Sequence, residues 1–453
     1  MTEFTDGGYS EADIVALSKR LEKQGVAALD LSGGSNESPQ LSKYCIQPPS
    51  FARGCLGPYA KPIKQAVNIP VLVAGRVVDP ADGEKLLADG CADFISVGRA
   101  LYADPHWCAK AFGAVKAPIR KCIACNVCFE RLTLEKDVAC VHNPVIGTEF
   151  EALEHAEPQL FPARQTKTPR RVLVIGAGVT GLEAARVVAA HGHQVEVWEK
   201  TAVVGGQMPL AMAAPDKLEV APILDYRLES LRMLGVGIET SMTATVAKIR
   251  AYAPDYAIVA TGVAPRAHPF DVSKLSSGVG IFHAWDVLRD PAVVASAQRV
   301  TIIGGGMVGA ETADLLTVQG KQCTIVEMLN EIATGMARNN RLELVERLVA
   351  RGTALLIHVQ VELAQARTLT LRTGDGKTTE LDVGDALVFA TGPAPVRDVV
   401  PLLEEAGVEY ELAGDCYRPG DFLSCLRDGW LAAQSVEHRF RATVVQKTQM
   451  ECV

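Results

Sequence analysis

The chain of 453 residues is 48% hydrophobic and 22% charged, which is typical of soluble globular proteins and long enough for about two to four domains. With 45 basic and 53 acidic residues it carries a net charge of −8, so it offers no basic surface to nucleic acid or anionic lipid. There is no apolar run of about 18 residues and no secretory signal, and 12 cysteines without an export signal indicate a reducing compartment, so we expect a cytoplasmic protein.

The first part of the chain alternates helices with short apolar strands. The helix patterns lie near 10–27, with Ser10 as N-cap, and near 59–67 and 80–88. The strands are predicted at 26–31, 69–74 and 93–97. This alternation predicts an α/β fold with a parallel sheet. Three strands cannot close an eight-stranded barrel, so the two edges of this sheet need cover from elsewhere.

Two of these strands end in a glycine followed by an arginine, Gly75-Arg76 and Gly98-Arg99. In a βα barrel the site lies at the carboxyl ends of the strands, often with a phosphate at the last two. Glycine allows close backbone approach and arginine supplies charge-assisted hydrogen bonds. The two dipeptides are therefore a candidate phosphate site. The alternative is a pair of solvated arginines at strand ends.

Four cysteines follow. Cys122, Cys125 and Cys128 are separated by two-residue gaps, and Cys140 comes after eleven intervening residues. Iron–sulfur clusters are held by cysteine thiolates, and close spacing lets one loop wrap part of a cluster while a distant cysteine completes it. The alternative is structural zinc, although four-cysteine zinc sites usually come as two separated pairs. A triplet plus one favours the cluster.

A glycine-rich turn follows a predicted linker at 149–169. The strand 171–175 runs into Gly176-Ala-Gly178-Val-Thr-Gly181, then a helix, and then a strand that ends at Glu199. In this context the pattern predicts a dinucleotide site: the helix N-terminus receives a pyrophosphate and the acid accepts from ribose hydroxyls. A turn at Gly205, Gly206 and Gln207 suits further contacts with the same nucleotide. The alternative is a glycine turn kept for packing.

The pattern then repeats. The strand 299–303 leads into Gly304-Gly-Gly306-Met-Val-Gly309, and a later strand ends at Glu327. An acid at this position suits a free ribose 2′-hydroxyl and repels a 2′-phosphate, which favours NADH over NADPH.

Two Ala-Thr-Gly segments each follow a predicted strand, and they contain Thr261-Gly262 and Thr391-Gly392. Near the end of the chain, Gly414-Asp415 follows another strand and precedes a helix. Such an acid could bind the ribityl or phosphate region of a flavin through its carboxylate and nearby amides. Alone this dipeptide means little, but beside two nucleotide motifs it indicates a functional role.

Together these motifs resemble the two-dinucleotide-domain flavoprotein fold, in which the first motif binds FAD and the second binds NAD(P)H. The run Cys122-Ile-Ala-Cys125-Asn-Val-Cys128 resembles the iron–sulfur flavoenzymes related to old yellow enzyme, namely trimethylamine dehydrogenase, 2,4-dienoyl-CoA reductase and 2-enoate reductase. It is most similar to the amine dehydrogenase. Residues 1–118 resemble the last three βα units of the family's FMN barrel, and Gly75-Arg76 and Gly98-Arg99 match its phosphate-binding positions.

The resemblance implies four regions: a partial TIM barrel at 1–118, a [4Fe-4S] segment and linker at 119–165, an FAD domain at 166–295 with 395–453, and an NAD(P)H domain at 296–394. In the family, the earlier barrel strands support the flavin ring and carry the residues that activate the substrate. Those strands are absent here, so no catalytic residue is assigned.

Three hypotheses follow from this resemblance. In the first, electrons pass from NADH to FAD, to the [4Fe-4S] cluster and to FMN, which reduces an activated C=C bond in a barrel completed by a partner chain or by an oligomer. In the second, the chain is an electron-transfer module without its own substrate site. In the third, it is a truncated and unstable product. An amine dehydrogenase-like enzyme that runs in the oxidative direction is a further alternative.

Overall fold

The computed structural model describes residues 4–36, 38–147, 166 and 168–450. These described residues divide into two compact units, one within 1–146 and 336–343 and the other within 147–335 and 344–453. The linker predicted at 149–169 lies almost entirely outside the described residues.

The first unit contains a three-stranded parallel sheet. Its strands are β1 (Leu29–Leu31), β2 (Val71–Val73) and β3 (Phe94–Ile95), in the order β1-β2-β3. Its helices are Glu11–Lys23, Pro39–Cys45, Gly57–Ala66, Pro80–Ala88, Arg99–Ala103, Trp107–Ala111 and Val127–Thr133. Apolar side chains of β1 and β2 and the helices around them form its core. Within the described residues, β1 and β3 each pair only with β2, so both edges of this sheet are open.

The second unit contains two five-stranded parallel sheets. The first has the order β18-β7-β4-β5-β6, from β4 (Arg171–Ile175), β5 (Gln194–Trp198), β6 (Gly237–Glu239), β7 (Tyr256–Val259) and β18 (Tyr410–Leu412). The second has the order β12-β11-β10-β16-β9, from β9 (Gly280–His283), β10 (Arg299–Ile303), β11 (Gln322–Val326), β12 (Ala354–Leu356) and β16 (Ala386–Phe389).

Two antiparallel sheets accompany them. One is three-stranded, from β13 (Val359–Gln365), β14 (Thr368–Thr373) and β15 (Thr378–Asp382). The other is a two-stranded ribbon of β8 (Val263–Pro265) and β17 (Pro393–Pro395). The remaining helices are Val179–Ala190, Met208–Met212, Pro222–Met233, Val246–Tyr252, Ala284–Arg289, Met307–Val318, Arg338–Ala350, Val400–Ala406 and Phe422–Met450. Single 3-10 turns lie at Lys217–Val220, Pro291–Val294 and Gly414–Cys416.

The parallel sheets confirm the α/β prediction, whereas a barrel around β1 to β3 stays a prediction. Ser10 caps its helix as expected, because Asp13 N donates to Ser10 Oγ at 3.3 Å and Ser10 N donates to the Asp13 carboxylate at 2.9 Å. The antiparallel sheets were not predicted. No helix among the described residues is long and apolar enough to cross a membrane.

Candidate functional site

The first glycine-rich loop is closed by contacts that leave no room for side chains. Gly176 has φ +108°, and a Cβ there would collide with the carbonyl oxygen of Ala260. A Cβ on Gly181 would collide with the carbonyl oxygen of Gly176. Gly178, in contrast, faces open space. The loop is therefore packed tightly on its inner side and open where a nucleotide phosphate approaches the helix Val179–Ala190.

Glu199 lies at the end of β5 and is 8% exposed. Its carboxylate accepts a hydrogen bond from Ala177 N at 2.9 Å and from Thr201 N and Oγ1, each at 2.8 Å. The acid is thus fixed directly against the glycine-rich loop, at the strand end where a ribose lies in dinucleotide sites.

The other residues predicted for the first nucleotide gather around the same loop. Gly205 N donates to the carbonyl oxygen of Ala177 at 2.8 Å, and a Cβ on Gly206 would come within 3.1 Å of Gly178 Cα. Gln207 Nε2 donates to Asp415 Oδ2 at 3.2 Å, although the two residues are 208 positions apart. Chain segments that are remote in sequence therefore meet at one place.

The first Ala-Thr-Gly segment forms hydrogen bonds with Val396, which lies just after β17, the strand that follows the second Ala-Thr-Gly segment. Thr261 Oγ1 donates to the carbonyl oxygen of Val396 at 2.6 Å, and Val396 N donates to the carbonyl oxygen of Gly262 at 2.9 Å. These bonds extend the ribbon of β8 and β17, through which the chain passes between the two parallel sheets and back.

The second glycine-rich loop repeats the geometry of the first. A Cβ on Gly304 would contact the carbonyl oxygen of Ala390, one on Gly309 would collide with that of Gly304, and Gly306 faces open space. Glu327, 7% exposed, accepts from Gly305 N at 2.6 Å. Each glycine-rich loop is therefore joined to an acid and to an Ala-Thr-Gly segment.

Thr391 and Gly392 continue directly from this contact. Arg266 N donates to the carbonyl oxygen of Gly392 at 3.2 Å, which ties the segment to the end of β8. The residues of both loops fit a bound dinucleotide: the space in front of Gly178 and Gly306 is open, and an acid stands at the ribose position.

The two arginines of the candidate phosphate site are engaged by the chain itself. Arg76 is 5% exposed and donates through Nη1 to the carbonyl oxygens of Pro49, at 2.7 Å, and Phe51. Arg99 is partly exposed and donates to the carbonyl oxygen of Gln47 at 2.7 Å. Gly75 packs against Leu56, whereas Gly98 faces open space. Arg99 Nη1 also donates to Asn126 Oδ1 at 2.6 Å, so the guanidinium groups of both arginines bind groups of the chain, and the phosphate site stays a prediction.

The four predicted cysteines influence one another. Burial raises the pKa of Cys125 well above its ordinary value, and the thiols of Cys140, Cys122 and Cys128 raise it further. Burial likewise raises the pKa of Cys140 to about 12, with added effects of Cys122 and Cys128. Cys128 is a buried residue, and Cys122, Cys125 and Cys140 keep some exposed surface. A bare thiolate is disfavoured here, so a positively charged iron or zinc centre would be needed to stabilise it.

Backbone N–H groups point at these sulfurs. Ala124 N donates to Cys122 Sγ at 3.4 Å. Hydrogen bonds from the backbone of Asn143 and His142 oppose the rise in the pKa of Cys140, and one from Val127 does so at Cys125. Hydrogen bonds to sulfur are among the features that tune iron–sulfur clusters, so this donor set fits such a cluster.

A buried polar network joins the chain segments that lie before and after the four cysteines. Asp104 is fully buried and accepts from Lys110 Nζ at 2.7 Å and from Arg120 N at 2.9 Å. Arg120 Nη1 donates to Asn143 Oδ1 at 2.6 Å. This ties the chain before Cys122 to the chain after Cys140.

Among the described residues, no three His, Cys, Asp or Glu side chains lie close enough together to hold a metal ion. A zinc ion places each of its sulfur ligands at about 2.3 Å, whereas a four-iron cluster distributes its cysteines over its corners. The four thiols form one electrostatic group, and their identity as cluster ligands stays a proposal.

Sequence reasoning missed the polar residues around the cysteines. Asn126, inside the motif, has φ +60° and is 2% exposed. Its position between Cys125 and Val127 could have drawn attention, because asparagine tolerates the left-handed conformation. Asn340 contacts the same loop from a distant part of the sequence, and no sequence pattern indicates this.

The model of the pyridine nucleotide-disulphide oxidoreductase family matches residues 170–416. An NADH oxidase of Thermoanaerobacter brockii is 34% identical over 442 residues, which cover 96% of this chain and 65% of that protein. A bilirubin reductase of Mediterraneibacter gnavus is 34% identical over 432 residues, which cover 94% of this chain and 64% of that protein. The chain thus spans about two thirds of the length of these relatives.

A solved complex of 2-naphthoyl-CoA reductase with 2-naphthoyl-CoA has a similar fold. Its TM-score is 0.85 at 24% sequence identity, over 95% of this chain and 64% of that one. At this identity the likeness concerns the fold. The relatives support the resemblance to iron–sulfur flavoenzymes. The barrel and the cluster segment stay predictions.

Proposed function

Because the chain belongs to the pyridine nucleotide-disulphide oxidoreductase family, we propose that it is an NADH-dependent iron–sulfur flavoprotein oxidoreductase. The observation that carries the proposal is the pair of glycine-rich loops, each joined to a buried acid, in a chain that also holds four interacting thiols. When bound, FAD accepts a hydride from NADH and releases electrons one at a time to a [4Fe-4S] cluster.

The residues around Gly176, Gly178 and Gly181 bind FAD in this proposal. The open loop and the helix behind it receive the pyrophosphate, and Glu199 accepts from ribose hydroxyls. Asp415, oriented by its hydrogen bond with Gln207, accepts from the ribityl chain. Gly206, Thr261 and Gly262 line the same nucleotide. These residues belong to an FAD domain of residues 166–295 and 395–453.

The residues around Gly304, Gly306 and Gly309 bind NADH. Glu327 has one carboxylate oxygen on Gly305 N and the other on Leu329 N at 2.8 Å, so its charge is fixed beside the ribose. A 2′-phosphate would meet that charge, which favours NADH over NADPH. Thr391 and Gly392 contact the nicotinamide half, within an NAD(P)H domain of residues 296–394.

Cys122, Cys125, Cys128 and Cys140 hold the cluster, in a segment of residues 119–165 of which the structure describes residues up to 147. The backbone N–H groups directed at their sulfurs stabilise the negative charge of a reduced cluster. Structural zinc is the competing occupant, and iron analysis separates the two.

We propose reduction of an activated C=C bond at FMN, with the FMN phosphate at Gly75, Arg76, Gly98 and Arg99, which follow β2 and β3. Because β1 and β3 have open edges in the described residues, a partner polypeptide or a second copy of this chain completes the sheet of residues 1–118. The alternatives are an electron-transfer module without its own substrate site and an amine dehydrogenase-like enzyme running in the oxidative direction.

The test is the cofactor content of the anaerobically purified chain, followed by NADH oxidation with two acceptors. We expect FAD and about four iron with sulfide per chain, and rapid reduction of ferricyanide by NADH. Cinnamate serves as a probe with an activated C=C bond. Its consumption together with bound FMN supports the reductase, whereas ferricyanide reduction without bound FMN and without cinnamate consumption supports the electron-transfer module. Absence of FAD, or zinc in place of iron, would refute the proposal.

A further inference from the structure

The cysteine loop, residues 122–128, is contacted by a side chain that lies 216 positions after Ala124 in the sequence. Asn340 belongs to the helix Arg338–Ala350, within the segment 336–343 of the first unit. Its Nδ2 donates to the carbonyl oxygen of Ala124 at 3.2 Å, and its Oδ1 accepts from Asn126 Nδ2 at 2.9 Å. Both polar atoms of the Asn340 carboxamide therefore form hydrogen bonds with the cysteine loop.

The two residues that Asn340 touches are those with left-handed backbone in that loop. Ala124 has φ +50° and Asn126 has φ +60°, and both are buried. For a non-glycine residue this conformation is strained and persists only where the surroundings hold it. The two residues flank Cys125, so their conformation sets how the chain turns between successive cysteines.

A second contact extends from Asn126 to a cation. Arg99 Nη1 donates to Asn126 Oδ1 at 2.6 Å and to the carbonyl oxygen of Gln47 at 2.7 Å. The guanidinium is thereby hydrogen-bonded to the cysteine loop through the side chain of Asn126. Asn340, Asn126 and Arg99 thus form one chain of hydrogen bonds.

We propose that Asn340 is a positioning residue for the cysteine loop: it holds Ala124 and Asn126 in their left-handed conformation and, through Asn126, keeps the Arg99 guanidinium beside this loop. The consequence for redox chemistry rests on the proposed cluster. A preformed loop accepts a cluster without reordering, and a nearby cation favours the more negative, reduced state of that cluster.

Asn339 provides a matched control. It is the same residue type, one position earlier, and is 4% exposed. Its Nδ2 donates to the carbonyl oxygen of Ile46 at 3.1 Å, outside the cysteine loop. Asn339→Ala therefore removes a buried carboxamide from the same helix turn while both bonds of Asn340 remain.

The first experiment needs no cluster. Amide hydrogen exchange is measured on the iron-free chain for a peptide that covers residues 122–128. Loss of two hydrogen bonds in Asn340→Ala should speed this exchange about tenfold or more, and Asn339→Ala should change it much less. Equal exchange in the two variants would overturn the proposal. Unchanged FAD content and circular dichroism verify that each variant is folded.

The second experiment uses the anaerobic chain with its iron. Asn340→Ala should lose iron to a chelator about tenfold faster than wild type and lower the midpoint potential of the cluster, while Asn339→Ala should stay near wild type. Asn340→Asp keeps the acceptor for Asn126 and loses the donor to Ala124, so its rate of iron loss should be intermediate. If wild type carries no iron, the proposed function fails and the exchange experiment alone decides the role of Asn340. If wild type carries the cluster and both alanine variants lose it equally fast, Asn340 has no positioning role.

Discussion

At the scale of single residues, the proposal separates the thiols that would hold a cluster from those that would not. Cys128 is buried within the group of four, whereas Cys108 is exposed and outside it. Cys128→Ser should abolish the cluster and leave FAD bound, because the two groups are held by different residues. Iron, sulfide and flavin assays check this, with Cys108→Ser as control. Full iron content in Cys128→Ser would remove this cysteine from the ligand set.

The preference for NADH depends on one carboxylate. Glu327→Gln keeps the size of the side chain and removes the charge that repels a 2′-phosphate. We expect the ratio of kcat/KM for NADH to that for NADPH to fall about tenfold, since a charged hydrogen bond to the ribose is lost. Steady-state kinetics with both nucleotides measure it. Glu331→Gln, an exposed acid of the same loop, should leave the ratio as it is, and an unchanged ratio in Glu327→Gln would contradict the assignment.

A pH effect on stability follows from His268. Its ring stacks on Phe389 at 4.3 Å between centroids and lies 5.0 Å from that of His283. Burial lowers the pKa of His268, and His283 lowers it further. A histidine with a folded pKa below its unfolded value contributes stability that is complete above the unfolded pKa and is lost as the pH falls through the folded pKa.

We therefore expect the Tm of wild type to fall as the pH drops below about 6.5, the usual pKa of histidine. His268→Phe keeps the stacked ring and should reduce that fall. Thermal unfolding between acidic and neutral pH measures the two slopes. The same slope in both proteins would show that His268 does not carry the effect.

At the scale of elements, a buried ion cluster joins two helices of the candidate FAD domain. Glu183, on Val179–Ala190, contacts Arg186 at 2.7 Å and Arg227, on Pro222–Met233, at 2.9 Å; the side chains of Glu183 and Arg227 are fully buried. Glu183→Gln leaves two buried cations without their counter-ion, which should lower the free energy of unfolding by about 3 kcal/mol or more.

The matched control is Glu229→Gln on the second helix, whose exposed pair with Arg232 contributes little. Chemical denaturation measures both variants. If the two substitutions have the same small effect, the buried cluster does not hold the helices together.

Elements with strong local signals were predicted from sequence. β4 and β10 have the bounds predicted for them, because each is a largely apolar run that ends at a glycine. The helix that the sequence predicts at 427–438 is Phe422–Met450, so it begins earlier and extends further, and the sheet of β13 to β15 was missed. Only β14 shows a regular alternation of burial, and no residue of β15 is buried, so the stability of this sheet depends on cross-strand pairing.

The candidate site shows the same limit. The first glycine-rich loop and Glu199 follow a known spacing, so the hydrogen bond from Ala177 N of this loop to Glu199 could be expected. The contacts of Arg76 with Pro49 and Phe51 could not, because they depend on how a loop without periodicity folds back. Asn340 is the extreme case, since its partners lie in a distant segment and are brought near only by the fold.

At the scale of the whole molecule, the central claim is that NADH supplies electrons to a cluster held by the four cysteines. EPR spectroscopy of the anaerobic chain after addition of NADH tests it most directly. We predict the signal of a reduced [4Fe-4S] cluster, equal to the signal obtained with dithionite and absent from Cys128→Ser. The account would be contradicted if NADH bleached the flavin without producing a cluster signal, while dithionite did produce one in the same chain.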